Sequence, residues 1–96
     1  MIVADLSIIP IGVGESVSRY VKRAVEELKS SGLRVELGAM STVLEARNID
    51  ELFEAVKRAR EAVFEMGAKR VYTILRIDER RDKELSIEGK LSKLRT

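Results

Sequence analysis

The spacing of hydrophobic and polar residues predicts an alternating series of strands and helices. Residues 2–11 alternate with a period of two, which is typical of a strand with one buried face. From about residue 15 to residue 31, apolar residues recur three and four positions apart, as in an amphipathic helix. Gly32 follows at the position where a helix commonly ends on glycine.

The second half of the chain continues in the same manner. Residues 34–37 and 40–47 predict two short strands that form a hairpin around Gly38. Asn48, followed three residues later by Glu51, resembles a capping box and starts a second amphipathic helix that ends at Gly67. Residues 71–78 predict the last strand, and residues 86–95 a short C-terminal helix that docks on this subunit or on a neighbouring one.

The order βαββαβ predicts an α+β fold of the ferredoxin-like type, in a single domain spanning residues 1–96. In this sandwich both main helices cover one face of a four-stranded antiparallel sheet, and we expect the opposite face to be uncovered. That face is too apolar for plain solvent and too polar for a sealed core, so we expect it to meet a partner sheet or a ligand. Its predicted residues are Val3, Asp5, Ser7, Ile9, Tyr72, Ile74, Arg76 and Asp78.

Composition removes several classes of function. The chain has no Cys and no His, which excludes thiol nucleophiles, imidazole bases and Cys/His metal sites. We therefore predict a protein that is not an enzyme and that uses no metal or cofactor. The 18 basic and 16 acidic residues give a net charge of only +2, which does not indicate nucleic-acid binding.

The N-terminal apolar run is too short for a membrane span. It is broken by Asp5 and Ser7 and carries no basic residue in front of it. We expect a cytoplasmic protein that makes no membrane contact.

The junction at residues 10–18 joins the first strand to the first helix through two glycines and two serines. Glycine accepts positive φ, and the first turn of a helix offers unpaired N–H groups to a ligand. Gly12 and Gly14 match part of a dinucleotide-binding loop, but Val17 occupies the position of its third glycine, so that interpretation fails. Ser16 is a candidate binding residue, and a simple capped turn is the alternative.

The third strand carries two further candidates, Thr42 and Glu45. A carboxylate on a central strand is uncommon unless it has a partner or faces solvent, so Glu45 could bind a cationic or amino-bearing ligand. The alternative is a cross-strand ion pair of Glu45 with Arg34 or Arg47.

The last strand ends in an alternating charge run that contains Arg76 and Asp78. Both point to the same face and could pair with Asp5 or with another subunit. The alternative is a solvated edge that discourages unwanted strand pairing.

Three segments of the chain, residues 7–21, 38–46 and 73–83, stand in the same order as in the YkoF-like thiamine-binding protein family, which the chain resembles over nearly its whole length. The chain has Glu45-Ala46 where members commonly have Glu-Gly. The resemblance implies a ferredoxin-like fold, and a homodimer or dimer of dimers, hence a homotetramer, that assembles through the open sheet faces. It also implies binding of thiamine or its pyrimidine moiety rather than catalysis on it.

Together these features predict a non-enzymatic protein that binds thiamine or a related hydroxymethylpyrimidine. An aminopyrimidine needs an acceptor beside a donor, and a thiazolium cation favours carboxylates and an aromatic face such as Tyr20 or Tyr72. A phosphate-bearing ligand would instead use the first helix terminus with Arg76 or Arg80. The alternative function is a structural or regulatory interaction module that assembles through its open sheet face. The candidate ligand-binding residues are Ser7, Ser16, Thr42, Glu45, Arg76 and Asp78.

Overall fold

The strands and helices follow the predicted order in a computed structural model that describes residues 1–95. The two main helices lie in the segments where apolar residues recur at helical spacing, and the four strands lie in the alternating or short apolar segments. The elements are β1 (Ile2–Ile11), α1 (Ser18–Ser30), β2 (Arg34–Leu37), β3 (Thr42–Ala46), α2 (Ile49–Glu65), β4 (Arg70–Glu79) and α3 (Ile87–Leu94).

The four strands form one antiparallel sheet in the order β2-β3-β1-β4. Ala4 of β1 lies opposite Leu44 on one side and Ile77 on the other, so the three side chains share a face of the sheet. The helices α1 and α2 pack on this face. The predicted ferredoxin-like α+β sandwich is confirmed.

The main core lies between this sheet face and the two helices. Every second residue of β1 enters it, as the alternation predicts, together with the apolar stripes of α1 and α2. Asn48 caps α2 by accepting a hydrogen bond of 2.8 Å from the Glu51 N–H, which confirms the predicted cap. The most deeply buried large side chains are Ile2, Leu28, Leu44, Leu52 and Val63.

The opposite face of the sheet is partly covered by α3, in contrast to the expectation that it is uncovered. Leu85 and Ile87 are buried against Val3 in a second, smaller apolar cluster. An eight-residue helix cannot persist alone in water, so this packing is what holds α3 in place. The rest of the face stays exposed, including Tyr72 and Ile74.

Two elements begin later than their sequence pattern indicates. The strand β3 begins at Thr42, which leaves Met40 and Ser41 in a loop, with Met40 91% exposed. The helix α1 begins at Ser18, because Gly12 and Gly14 have positive φ and the chain makes an irregular turn before it. The β2–β3 loop and the β1–α1 junction lie beside the same open space, which the late starts of β3 and α1 leave unfilled.

Candidate functional site

A notch interrupts the sheet between β1 and the loop that joins β2 to β3. The pairing of β1 with β3 stops at Leu6 and Thr42, whereas β4 accompanies β1 as far as Ile11. Within residues 1–95, β1 residues 7–11 therefore have no strand partner on the β3 side. Backbone polar groups at such an edge are available to a ligand.

An inner cavity of about 170 Å³ fills the notch and continues beneath α1. Its walls are mainly apolar and include Ile8, Val21 and Val25. Three residues with hydroxyl groups also line it, Ser7, Ser41 and Thr42. A mostly apolar cavity with a few convergent polar groups is typical of a small-molecule site.

An outer cavity of about 800 Å³ lies beside the first and is open to solvent. The two cavities share four lining residues and form one continuous groove along α1. The outer cavity adds the end of the β1–α1 junction and four charged side chains of both signs. The shared residues are Val21, Val25, Gly38 and Thr42.

Thr42 is the polar residue best placed to bind a ligand in the groove. It is 9% exposed and lines both cavities. In the described part of the chain, no hydrogen bond involves its hydroxyl, whereas Ser7 Oγ donates to the Met40 carbonyl oxygen at 3.4 Å. The Thr42 hydroxyl is not a fully buried atom, in contrast to the unpartnered Thr73 hydroxyl, so it is free to bond to water or to a ligand in the groove.

A charged network supports the loop wall of the inner cavity. Ser41 Oγ donates to Asp5 Oδ2 at 3.2 Å, and Arg76 donates to both Asp5 oxygens, with 2.8 Å between Nε and Oδ1. The hydrogen bonds from Arg76 lower the pKa of Asp5 below its usual value, and those to Asp5 raise the pKa of Arg76. Asp5 therefore stays ionised at neutral pH and ties the β2–β3 loop to the sheet.

The structure brings three of the six candidate residues to the groove, although Ser7 belongs to the sheet face of Asp5 and Ser16 to the β1–α1 junction. Ser7, Ser16 and Thr42 line the groove. Glu45 and Asp78 lie on the opposite face, because β-strand side chains alternate and these positions are out of phase with Thr42.

Glu45, Asp78 and Arg76 each have a protein partner on that opposite face. Glu45 Oε1 accepts a 2.7 Å hydrogen bond from the Ile87 N–H, and Asp78 pairs with Lys90. Arg76 pairs with Asp5, which is one of the two partners expected for it. These three side chains are engaged within the subunit and do not reach the lining of the groove.

The ion pair expected between Glu45 and Arg34 or Arg47 is not formed. Arg34 lies opposite Glu45 in the register but binds Glu36 and Glu88. Arg47 instead binds Glu51 on the first turn of α2. Glu45 instead accepts a hydrogen bond from the backbone of α3. The two residues are 42 positions apart, so no local sequence pattern reveals this contact.

Sequence reasoning missed several residues of the groove, including Ser41, Val21 and Val25. The two valines belong to the apolar stripe of α1 and were expected in the core, but Val21 is 40% exposed. One feature of the sequence could have indicated their role. The apolar stripe of α1 is wider than a helix needs to cover a sheet, and the two valines lie at its edge. Tyr20, in contrast, lies in the core and does not face the groove.

Neither a metal site nor a membrane span is found in the part of the chain that the structure describes. Residues 1–95 contain no group of three or more acidic side chains placed to hold a metal ion. None of their helices is long and apolar enough to cross a membrane. The groove combines mainly apolar walls with hydroxyl-bearing residues and charged side chains of both signs.

Comparison with known proteins gives one family. A family model described as "Thiamine-binding protein" matches residues 4–95. A relative, the UPF0045 protein of Methanothermobacter thermautotrophicus, is 48% identical over 96 residues, which cover 99% of this chain and 97% of the relative.

Two solved structures are similar over nearly their whole length. A crystal structure of a hypothetical protein from Methanocaldococcus jannaschii has a TM-score of 0.90 and 49% identity, covering 97% of this chain and 94% of that one. A candidate thiamine biosynthesis/salvage protein from Thermotoga maritima has a TM-score of 0.84 and 26% identity, with 98% of each chain covered.

Proposed function

Because this chain belongs to the thiamine-binding protein family, we propose that it binds thiamine or a related hydroxymethylpyrimidine in the groove along α1. The observation that carries this proposal is Thr42, a mostly buried residue that lines both cavities and whose hydroxyl makes no hydrogen bond within residues 1–95. A ligand that enters the inner cavity would satisfy this group.

The chemistry of the inner cavity suits an aminopyrimidine. The ring presents an amino donor beside a nitrogen acceptor, and the Thr42 hydroxyl can both donate and accept. The hydroxyls of Ser7 and Ser41 donate to Met40 and Asp5 and can accept from the amino group. The valines of α1 supply apolar contact for a flat ring. The thiazolium cation would extend into the outer cavity, where Glu15 and Glu26 supply negative charge.

We propose binding without a reaction. The chain has no histidine or cysteine, and the groove hydroxyls therefore have no imidazole beside them to act as a base. Glu15 and Glu26 line the wide outer cavity and do not line the inner one. Ligand binding accounts for the groove without further chemistry.

The function also includes self-association in the cytoplasm. Tyr72 and Ile74 are 55% and 43% exposed on the part of the sheet that α3 leaves uncovered, next to Ile9 at 41%. A second copy that lays the same face on this one would bury these side chains and form a dimer, and two dimers the proposed homotetramer. The exposed apolar face also favours the alternative function, an interaction module whose only role is assembly.

Replacing Tyr72 and Ile74 together by serine should convert the assembly into monomers, because the change removes the largest apolar contacts of the face. Light scattering coupled to size-exclusion chromatography measures the mass. Phe53→Ser is the matched control, since Phe53 is 51% exposed but lies on α2. A wild-type chain that is monomeric at every concentration would contradict self-association, and an assembly that binds no ligand would favour the interaction module.

Thr42→Val should weaken thiamine binding by about tenfold, because it removes one buried hydrogen bond and preserves the shape of the side chain. Calorimetric titration with thiamine and with hydroxymethylpyrimidine measures the affinity, and the melting temperature should rise with ligand concentration in the wild type.

Thr73→Val is the matched control for this experiment. Thr73 lies on the same sheet face, its hydroxyl is buried without a partner, and it lies outside the lining of both cavities. The control should leave the affinity unchanged. Absence of both heat and thermal shift at millimolar ligand in the wild type would overturn the proposed function.

A further inference from the structure

The N-terminus of α1 opens into the outer cavity without the caps found on the other helices. Asn48 and Ser86 cap α2 and α3, and each of those helices has an acidic residue in its first turn. The N-cap of α1 is Val17, which makes no side-chain hydrogen bond, and the first turn contains no acidic residue. The first bonded backbone N–H is that of Tyr20, to the Val17 carbonyl at 3.0 Å.

Such a terminus attracts an anion, because the early N–H groups are free and the helix dipole places positive charge there. A helix end alone does not make a site, but the Thr42 hydroxyl lines the same cavity. Thr42 as a residue is 9% exposed, and its side chain has no hydrogen-bond partner within residues 1–95. The two features indicate that the cavity is built around a polar ligand.

The charges of the outer cavity are of both signs. Its lining contains two basic and two acidic side chains, Lys22, Lys29, Glu15 and Glu26. Over the described residues, none of the four forms an ion pair with a neighbour within 4 Å. Lys22 lies in the second turn of α1, near its N-terminus, and Lys29 lies about two turns further along the helix. Unpaired charges of both signs match a ligand that itself carries a cation and an anion.

We propose that the ligand is a phosphate ester of thiamine, with its phosphate at the N-terminus of α1. The inference rests on the proposed function and specifies the class of its ligand. The pyrimidine occupies the inner cavity and bonds to Thr42, and the thiazolium cation lies near Glu15 and Glu26. The phosphate accepts hydrogen bonds from the free N–H groups of the first turn and from Lys22.

Titration of the wild-type protein with thiamine, thiamine monophosphate and inorganic phosphate tests this assignment. We expect the monophosphate to bind about tenfold more tightly than thiamine, since its phosphate gains charge-assisted hydrogen bonds. Inorganic phosphate should bind far more weakly than the ester, because it lacks the ring contacts. Raising the salt concentration should reduce the preference for the ester.

Lys22→Gln should remove most of the preference for the monophosphate over thiamine. Lys29→Gln is the matched control, because it removes the same charge from the same cavity far from the helix N-terminus. An equal loss of the preference in both variants would overturn the assignment of the phosphate to the N-terminus of α1.

The two proposals fail in different ways. If the wild type binds thiamine but prefers the monophosphate by less than about twofold, the phosphate assignment is wrong and the proposed function stands. If inorganic phosphate binds as tightly as the ester, the site is a phosphate site and the ester assignment is wrong. If neither thiamine nor its monophosphate binds, the proposed function itself fails.

Discussion

Gly38→Ala should weaken thiamine binding roughly a hundredfold. A Cβ atom at this position would lie 2.6 Å from the backbone oxygen of Ser41, which is far closer than van der Waals contact. Because the contact is with backbone, no side-chain rotation relieves it, and the β2–β3 loop has to move. This loop carries Met40 and Ser41 and forms one wall of the inner cavity. In enzymes, a displacement of about 1 Å can lower the catalytic rate about a hundredfold, and we expect a loss of this order for binding.

Calorimetric titration measures the loss, and denaturant unfolding separates it from loss of the fold. Gly67→Ala is the control, because Gly67 has a φ of +108° with open space around it at the end of α2. An alanine there strains the backbone and lowers the free energy of unfolding by about 1 kcal/mol, but it leaves the groove intact. If Gly38→Ala bound thiamine as the wild type does, the loop would not be a wall of the site.

Glu45→Ala should release α3 from the sheet and weaken its docking by about 1.5–3 kcal/mol, the usual contribution of a hydrogen bond to a charged group. The Glu45 carboxylate accepts a hydrogen bond from the Ile87 N–H at the start of α3. A negative charge at this end also interacts favourably with the helix dipole. The remaining contacts are the small apolar cluster around Val3 and exposed ion pairs such as Lys90 with Asp78. Exposed ion pairs of this kind contribute little free energy to docking, so they cannot compensate for the loss of the carboxylate.

Amide hydrogen exchange of residues 87–94 measures the release, and exchange in β1 and α2 should stay slow. Glu36→Ala is the control, since Glu36 shares that sheet face but is exposed and bonds only to Arg34. Glu45→Gln keeps an acceptor oxygen and should retain a docked α3. If Glu45→Gln abolished thiamine binding while α3 stayed protected, Glu45 would be a ligand-binding residue rather than an anchor for α3.

The fold could be predicted from local patterns because each pattern reports which side of an element is buried. The alternation in β1 and the stripes of α1 and α2 identify the core, and Asn48 and Gly32 mark helix ends through backbone requirements. The start of β3 could not be predicted in this way. Met40 and Ser41 suit a strand, and only the course of the β2–β3 loop leaves them unpaired.

The candidate site was predicted in part for the same reason. Ser16 and Thr42 stand out as polar groups beside a helix start and on a strand, and both line the groove. Glu45 and Asp78 stand out equally, yet their partners come from α3. A sequence pattern marks a polar residue in an unusual place, but it does not distinguish a ligand from a distant segment of the same chain as its partner.

The sequence by itself determined the order βαββαβ, the buried face of each element and the family. These properties depend on residue spacing and on motifs that are contiguous in the chain. Only the tertiary structure decided where the sheet opens and which face α3 covers. Both depend on contacts between distant residues, such as Leu6 with Thr42 and Glu45 with Ile87, whose geometry is fixed when the elements pack together.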